Sequence, residues 1–398
     1  MTRPLRICMA MLATSGGSSI VAQELGRGLM PDSKLHRLKG EQGFEVRYCH
    51  LRADQLQQNH FLVDDGPAAK TSKLLDIPQS LSGGMDAVSE LLRIYDCWPF
   101  DILHLHNVQV FGLAAQMLKT LRGVPYIVTC HGSDLLNPHL FDRNKEVVAS
   151  VLYSANAVTC VSHYLANVLR RELPELPAAR VINNFIGADW CKPTYRCQPQ
   201  AQRFLHISSM RAVKRPELLL EAFGQLQQQL PEAQLVIVST AEGVKRTQAL
   251  LQQGWHSGRG LDIIDSGCQP QQLASEYARA QAMVLTSQFE GFGLVVLEAL
   301  QHRLPVVAPK VGALPEVLGQ DWPYLVAEQD RPLLVENLAK GMAKVAEGPN
   351  EHLQVRMQEI LARYSGSQQI AEYAALYRQV FATSNPHLSK RPLLCHHF

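Results

Sequence analysis

The sequence predicts an α/β protein of two Rossmann-like domains, each built on a doubly wound parallel sheet. Three observations predict it. Strand-like and helix-like runs alternate almost throughout, the pattern of parallel sheets covered by helices. The 398 residues exceed what one ordinary core fills and suit two such domains. Hydrophobic residues make up 46% of the chain, enough to bury two large sheets.

Taken in order, Leu5 to Leu12 reads as the first strand and Ser18 to Leu29 as its helix, with apolar Ile20, Val21, Leu25 and Leu29. Arg3, Arg6 and the apolar run Ile7 to Ala13 faintly imitate a signal peptide. The run is short and leads into a glycine loop, so a buried strand is expected. Pro31 to Gln42 is a polar interruption. Phe44 to His50 resembles the second strand, and Leu51 to Gly84, poor in apolar positions, reads as a long excursion. Ile102 to His106, Tyr126 to Thr129, Ala157 to Val161 and Val181-Ile182 complete a first domain over residues 1–190.

Asn183 to Gln202, with Pro193 and Pro199, breaks the rhythm and reads as a linker. A second domain over 203–363 restarts at Phe204 to Ile207. Pro216 opens a helix to Leu230, a position that suits proline. Strands Leu235 to Val238, Leu261 to Ile264, Ala282 to Thr286 and Pro305 to Ala308 follow, and beyond Leu333 the pattern is helical. A final helix is expected within 364–383, with Tyr364 to Phe381 as candidate, and 384–398 lacks a core pattern and reads as a tail.

Composition narrows the function. Thirty-eight basic against 36 acidic residues leave a net charge of +2, without the clustered basic face that nucleic acid requires. Nine cysteines, an odd number without a Cys-x-x-Cys pair, fit buried reduced thiols in a cytoplasmic enzyme. No apolar run is long enough to span a bilayer. Peripheral membrane contact and a homo-oligomer both stay open.

The most informative stretch is Ser287-Gln-Phe-Glu290-Gly291-Phe292-Gly293-Leu294, continuing to Glu298. A strand stops at a polar turn, two glycines bracket an aromatic, and an amphipathic run follows. The unpaired amides of a first helical turn favour an anion such as phosphate. Glu290 and Glu298, seven residues between them, flank that seat. A carboxylate there would repel phosphate unless it served ligand hydroxyls, since an ionised carboxylate only accepts hydrogen bonds. Phosphate together with vicinal hydroxyls describes a nucleotide sugar.

Other segments fit the same chemistry. Met210-Arg211-Ala-Val-Lys214-Arg215-Pro216 sets cations at a helix N-terminus, against the macrodipole, where an anion would offset their cost. Thr129-Cys130-His131-Gly132-Ser133-Asp134 ends a strand, and carboxyl ends of parallel strands are where such folds bind ligands. Gly16, Gly17 and Ser18 form a loop that backbone-seeking ligands can approach. His104 and His106 share one face of a strand. With no third ligand nearby they read as packed polar residues rather than a metal pair.

The Glu290-to-Glu298 segment resembles the Glu-x7-Glu signature of the retaining glycosyltransferases of family 4, which have the GT-B fold: two Rossmann-like domains with parallel sheets facing a central cleft. Pro305 to Val317 is similar to the strand and glycine turn that follow it there. The resemblance runs from the Gly16-Gly17 loop to the last helix. It implies that Glu290 bonds donor-sugar hydroxyls, Glu298 the ribose, and amides of Gly291, Phe292, Gly293 and Leu294 the diphosphate. It implies that His131 lies near the reacting sugar and Lys214 on the phosphates. The family's arginine stands five residues before that lysine; here Ser209 takes that place, and Arg211, three before, is the candidate. Gly16, Gly17 and Gly267 are expected on the donor side. After Leu235 to Val238 the family has Gly-x-Gly, whereas this chain has Ser239-Thr-Ala-Glu242-Gly243.

The implied activity is retaining transfer of a hexose or N-acetylhexosamine from a nucleotide sugar, with UDP expected, to an acceptor hydroxyl. The family's front-side attack uses the leaving phosphate to take the acceptor proton, so no protein base, cofactor or metal is expected. The sequence also lacks an Asp-x-Asp motif. Several motifs look like those of members that use a small hydroxy acid such as malate. Those members have tyrosine where Asn107 stands and asparagine near His163. Ser18, Asn107, Thr129 and His163 are the candidate acceptor residues. A polysaccharide or lipid-linked glycan acceptor, a nucleotide-sugar 2-epimerase and a silent binding module are the alternatives.

Overall fold

In a computed structural model, residues 3–11, 17–30, 43–53, 58–64, 75–78, 83–136, 138–187, 200–267, 270–348 and 351–386 are described. Gly16, most of the expected linker and the tail beyond Pro386 lie outside the described residues. The chain forms two compact units, Met1–Asn184 with Gly366–Phe398, and Phe185–Ser365.

The first unit holds an eight-stranded sheet of β1 (Leu5–Met11), β2 (Phe44–Ala53), β3 (Gln58–Asp64), β4 (Leu75–Pro78), β5 (Ile102–Leu105), β6 (Tyr126–Cys130), β7 (Ala157–Cys160) and β8 (Arg180–Val181), in the order β4-β3-β2-β1-β5-β6-β7-β8. β1 pairs in parallel with β2 from Leu5↔Phe44 to Met11↔His50, and with β5 from Ile7↔Ile102 to Ala10↔Leu105. Its residues Ile7 to Met11 are buried because helices cover both faces of a parallel sheet, so no alternation of polar residues is needed.

The excursion expected over Leu51 to Gly84 is corrected: β3 and β4 run there, β3 antiparallel to β2 and β4 antiparallel to β3. A short hairpin at a sheet edge needs fewer apolar positions than a central strand, so its signal is weak. The last helix, Ser367–Ser384, belongs to this unit and sinks Tyr373 and Tyr377 into its core.

The second unit carries a parallel sheet of β9 (Arg203–Ile207), β10 (Gln234–Ser239), β11 (Leu261–Asp265), β12 (Ala282–Val284), β13 (Val306–Pro309) and β14 (Leu325–Val326), ordered β11-β10-β9-β12-β13-β14. Pro216 is the first residue of the helix Pro216–Gln229, which buries Leu218, Leu219, Leu220, Phe223 and Leu226. Strand order reverses between β9 and β12. In open α/β sheets the crevice at the carboxyl ends of two such strands is the natural ligand position. No helix among the described residues is long and apolar enough to cross a membrane.

Candidate functional site

The turn after β9 and the loop after β12 meet at that reversal. Backbone and side chains stitch them together: Gln288 N donates to Val213 O at 2.8 Å and Thr286 Oγ1 to Lys214 O at 2.7 Å. Arg215, at φ 48° in the left-handed region, donates from Nε to Thr286 O at 2.7 Å and from Nη2 to Ser287 O at 2.8 Å. Its guanidinium also grips Glu328 through two bonds of 2.5 and 3.2 Å. Arg215 thus ties the loops together, and a protein carboxylate offsets its charge at the helix N-terminus.

Lys214 Nζ reaches Glu290 Oε1 at 2.5 Å, and Ser287 Oγ donates to the same oxygen at 2.7 Å. Both side chains of the ion pair keep partial solvent contact, 21% and 11%. Arg211 is exposed, its Nε bonded to Ser209 Oγ at 3.0 Å. Beneath the turn, buried His206 spans Val284 O and Ser208 Oγ, each at 2.8 Å, and Ser208 Oγ accepts from Met210 N at 3.1 Å. That last bond helps hold Met210 at φ 51°. Burial brings the His206 imidazole down to about 4, against the opposing pull of the Val284 carbonyl.

Gly293, at φ 86°, is the N-cap of the helix Leu294–Gln301 and brings no capping side chain of its own. Val296 N already donates to Gly293 O at 2.9 Å, so the amides of Leu294 and Val295 are the helix's candidates for an anion. Phe292 is buried edge-on against Tyr364, with ring centroids 5.2 Å apart, so it anchors the turn and leaves only its backbone for ligand. Glu298, half-buried on this helix, accepts from Tyr277 Oη at 2.6 Å, and the Tyr277 ring stacks on His302 at 4.7 Å. Gly267 is exposed at the end of β11, its amide bonded to Asp265 Oδ1 at 2.9 Å. It borders an open hollow lined also by Ile263, Ile264 and Gln272.

The first unit gathers the other candidates at the ends of β5 and β6. His131 N donates to Asp134 Oδ2 at 3.0 Å, and the ring Nε2 lies 3.0 Å from His106 Nδ1. Burial holds His131 at about 3 and raises the Asp134 carboxyl to about 6, less than it would without the His131 amide. Asn107 caps the helix Val108–Arg122, its Oδ1 accepting from Val110 N at 2.9 Å. His163 is the exposed first residue of the helix Ser162 caps. Gly17 and Ser18 open the helix Gly17–Leu29.

Thr129 is a correction. It is fully buried, its Oγ1 shared among His104 Nε2 at 2.7 Å, Thr159 at 2.6 Å and Tyr373 at 3.1 Å. As the last-but-one residue of β6 it faces the core, where hydroxyls satisfy His104, and it is withdrawn from the acceptor residues. Among the described residues no group of three or more His, Cys, Asp or Glu is arranged to hold a metal ion.

Sequence reasoning missed Tyr277, Ser287 and the bond between His106 and His131. Ser287 stands three residues before Glu290 in the loop, close enough for its hydroxyl to reach the carboxylate, but no local pattern singles out that pair. Tyr277 carries no signal either: it looks like any aromatic on the core face of a helix.

Fold and family match together define a glycosyltransferase of the GT-B class. The model of "Glycosyltransferase Family 4" matches residues 15–190 and that of "Glycosyl transferases group 1" residues 201–345. The chain belongs to the family-4 glycosyltransferases. It is 25% identical over 386 residues to N-acetyl-alpha-D-glucosaminyl L-malate synthase of Bacillus anthracis, covering 90% of this chain and 95% of that one. Its fold is similar to that of sucrose-phosphate synthase from Thermosynechococcus elongatus, with a TM-score of 0.73 at 19% identity over 95% of this chain and 100% of the other. It is also similar to that of Anabaena HepE in complex with UDP and glucose, with a TM-score of 0.64 at 15% identity over 93% and 99%.

Proposed function

We propose that this enzyme transfers a hexose or N-acetylhexosamine from a UDP-sugar to an acceptor hydroxyl, with retention of the anomeric configuration. One observation carries the reading: the ion pair of Lys214 and Glu290 sits where the strand order of the second unit reverses, beside a helix N-terminus with glycine at its N-cap. The amides of Gly291 to Leu294 take the diphosphate. Lys214 and Arg211 balance the negative charge that grows on it as the glycosidic bond breaks. Glu290 accepts from sugar hydroxyls and Glu298 from the ribose. Gly267 and the hollow beside it, at the end of β11, border the base.

The acceptor oxygen attacks the anomeric carbon on the face the diphosphate leaves. The departing phosphate oxygen takes the acceptor proton, which removes the need for a protein base. Ser18, Asn107 and His163 are the acceptor-side residues, and Gly16 and Gly17 serve the donor side. The full-length likeness to a malate glycosyltransferase makes a small hydroxy acid the first acceptor to try. The test is product analysis with labelled UDP-glucose, UDP-galactose, UDP-N-acetylglucosamine and UDP-N-acetylgalactosamine against malate and glycan acceptors, with the anomeric coupling read by NMR. Transfer with retention supports the reading. Isomerised donor without transfer makes the protein a 2-epimerase, and binding without turnover makes it a silent module.

A further inference from the structure

We propose that His106 is a positioning residue that fixes His131 in the tautomer carrying its proton on Nδ1, so that His131 offers an N–H to a substrate oxygen. The observation behind it is a pair of imidazoles that share one hydrogen bond and, among the described residues, have one unpartnered nitrogen each. His106 Nδ1 lies 3.0 Å from His131 Nε2, while His106 Nε2 and His131 Nδ1 are buried with no partner among the described residues. Neighbouring His104 is different: both its nitrogens are used, by Tyr377 Oη at 2.6 Å and Thr129 Oγ1 at 2.7 Å.

Two proton arrangements satisfy the shared bond. His106 Nδ1–H donates to His131 Nε2, or His131 Nε2–H donates to His106 Nδ1. The first leaves a lone pair on His106 Nε2 and an N–H on His131 Nδ1; the second reverses them. An N–H without an acceptor is the scarcer defect in folded proteins, and the more so the deeper it lies. His106 is 2% exposed and its backbone is fixed by His106 N donating to Ala10 O at 2.9 Å, whereas His131 is only half-buried, on the tight turn that closes β6. The first arrangement places the spare N–H on the more exposed residue of the pair, at the turn. The bond one imidazole nitrogen makes decides which nitrogen keeps the proton. Burial keeps both rings neutral at neutral pH, so the tautomer and not the charge is the variable. The inference draws on the proposed function only for the identity of the ligand oxygen.

The test uses the full chain labelled with 15N-histidine. Long-range 1H–15N spectra of the ligand-free protein at neutral pH, assigned with His106→Leu and His131→Gln, report which nitrogen of His131 is protonated. Nδ1 is expected. His106→Leu removes the donor, and His131 reverts to the Nε2–H form that free imidazole side chains favour. His106→Asn keeps an N–H near the place of Nδ1 and restores the tautomer. Turnover follows the tautomer: roughly ten-fold lower or more in His106→Leu, the size of one lost hydrogen bond, and recovered by His106→Asn. A wild-type His131 protonated on Nε2 overturns the inference, and that spectrum decides even if His106→Leu does not fold. The predicted tautomer in a protein that transfers no sugar would leave this inference standing and remove the functional reading instead.

Discussion

The backbone of Gly312 lies against the backbone of Glu290: a Cβ on Gly312 would stand 2.3 Å from Glu290 O and 2.7 Å from Glu290 N. The next residue completes the contact, Ala313 N donating to Glu290 O at 2.9 Å. Gly312 also sits at φ 57°, where a side chain is strained. The loop after β13 therefore acts as a rest that sets the height of Glu290 relative to Lys214.

Gly312→Ala is expected to push Glu290 out of register and to destabilise the second unit by about 1–3 kcal/mol through steric and backbone strain. Thermal unfolding measures the second effect and UDP-sugar affinity the first. A variant that binds donor as the parent does would show that the rest is dispensable.

Glu298→Gln should weaken UDP binding about ten-fold or more, since a charge-assisted bond to ribose hydroxyls contributes roughly 1.5–3 kcal/mol. Tyr277→Phe leaves the carboxylate in place but frees its orientation, so a smaller loss, a few-fold, is expected. Titration calorimetry with UDP separates the two. Unchanged affinity in Glu298→Gln would take that residue out of the site.

Acid should unfold this protein early. His104 and His131 are held at about 3, His206 at about 4, and His106 well below its ordinary value, each chiefly by burial. In the unfolded chain all four titrate near 6.5. Their folded values are depressed, so their stabilisation is complete above 6.5 and is lost as pH falls towards 3. Asp134 acts oppositely, since its raised value means stability lost as pH rises from 3.8 to about 6. Four imidazoles outweigh one carboxylate, each at about 1.4 kcal/mol per pH unit. Urea unfolding between about pH 7.5 and pH 5.5 should show a loss of several kcal/mol. A flat profile would mean that the buried rings open to water.

Activity should survive excess EDTA, because in the proposed site Lys214, Arg211 and the amides before the helix Leu294–Gln301 would supply the positive charge to the diphosphate. Loss with EDTA and recovery with magnesium or manganese would reassign that role to an ion.

The parts of the site that one local segment encodes were legible in the sequence. Strand, glycine turn and helix are contiguous from Ala282 to Glu298, so the amide seat and the spacing of two carboxylates could be read from residue types alone. The parts made by distant partners were not. Arg215 reads in sequence as one more cation of the basic turn, yet Glu328, 113 positions along, takes its charge. Thr129 looked like a ligand contact beside His131, but strand alternation turns it toward His104 and Tyr373. The hairpin of β3 and β4 was missed because edge strands carry little apolar signal, and the pairing of His106 with His131 because it joins adjacent strands whose register no local pattern reveals.

Steady-state kinetics of Lys214→Ala, beside Arg211→Ala and the double variant, test the central claim most directly. An interaction stronger in the transition state shows in kcat. Lys214→Ala is predicted to lower kcat roughly a hundred-fold or more while donor KM changes little, with the double variant worse than either single one. If Lys214→Ala raises only KM, Lys214 merely anchors the donor, and stabilisation of the leaving diphosphate by this ion-paired lysine is contradicted.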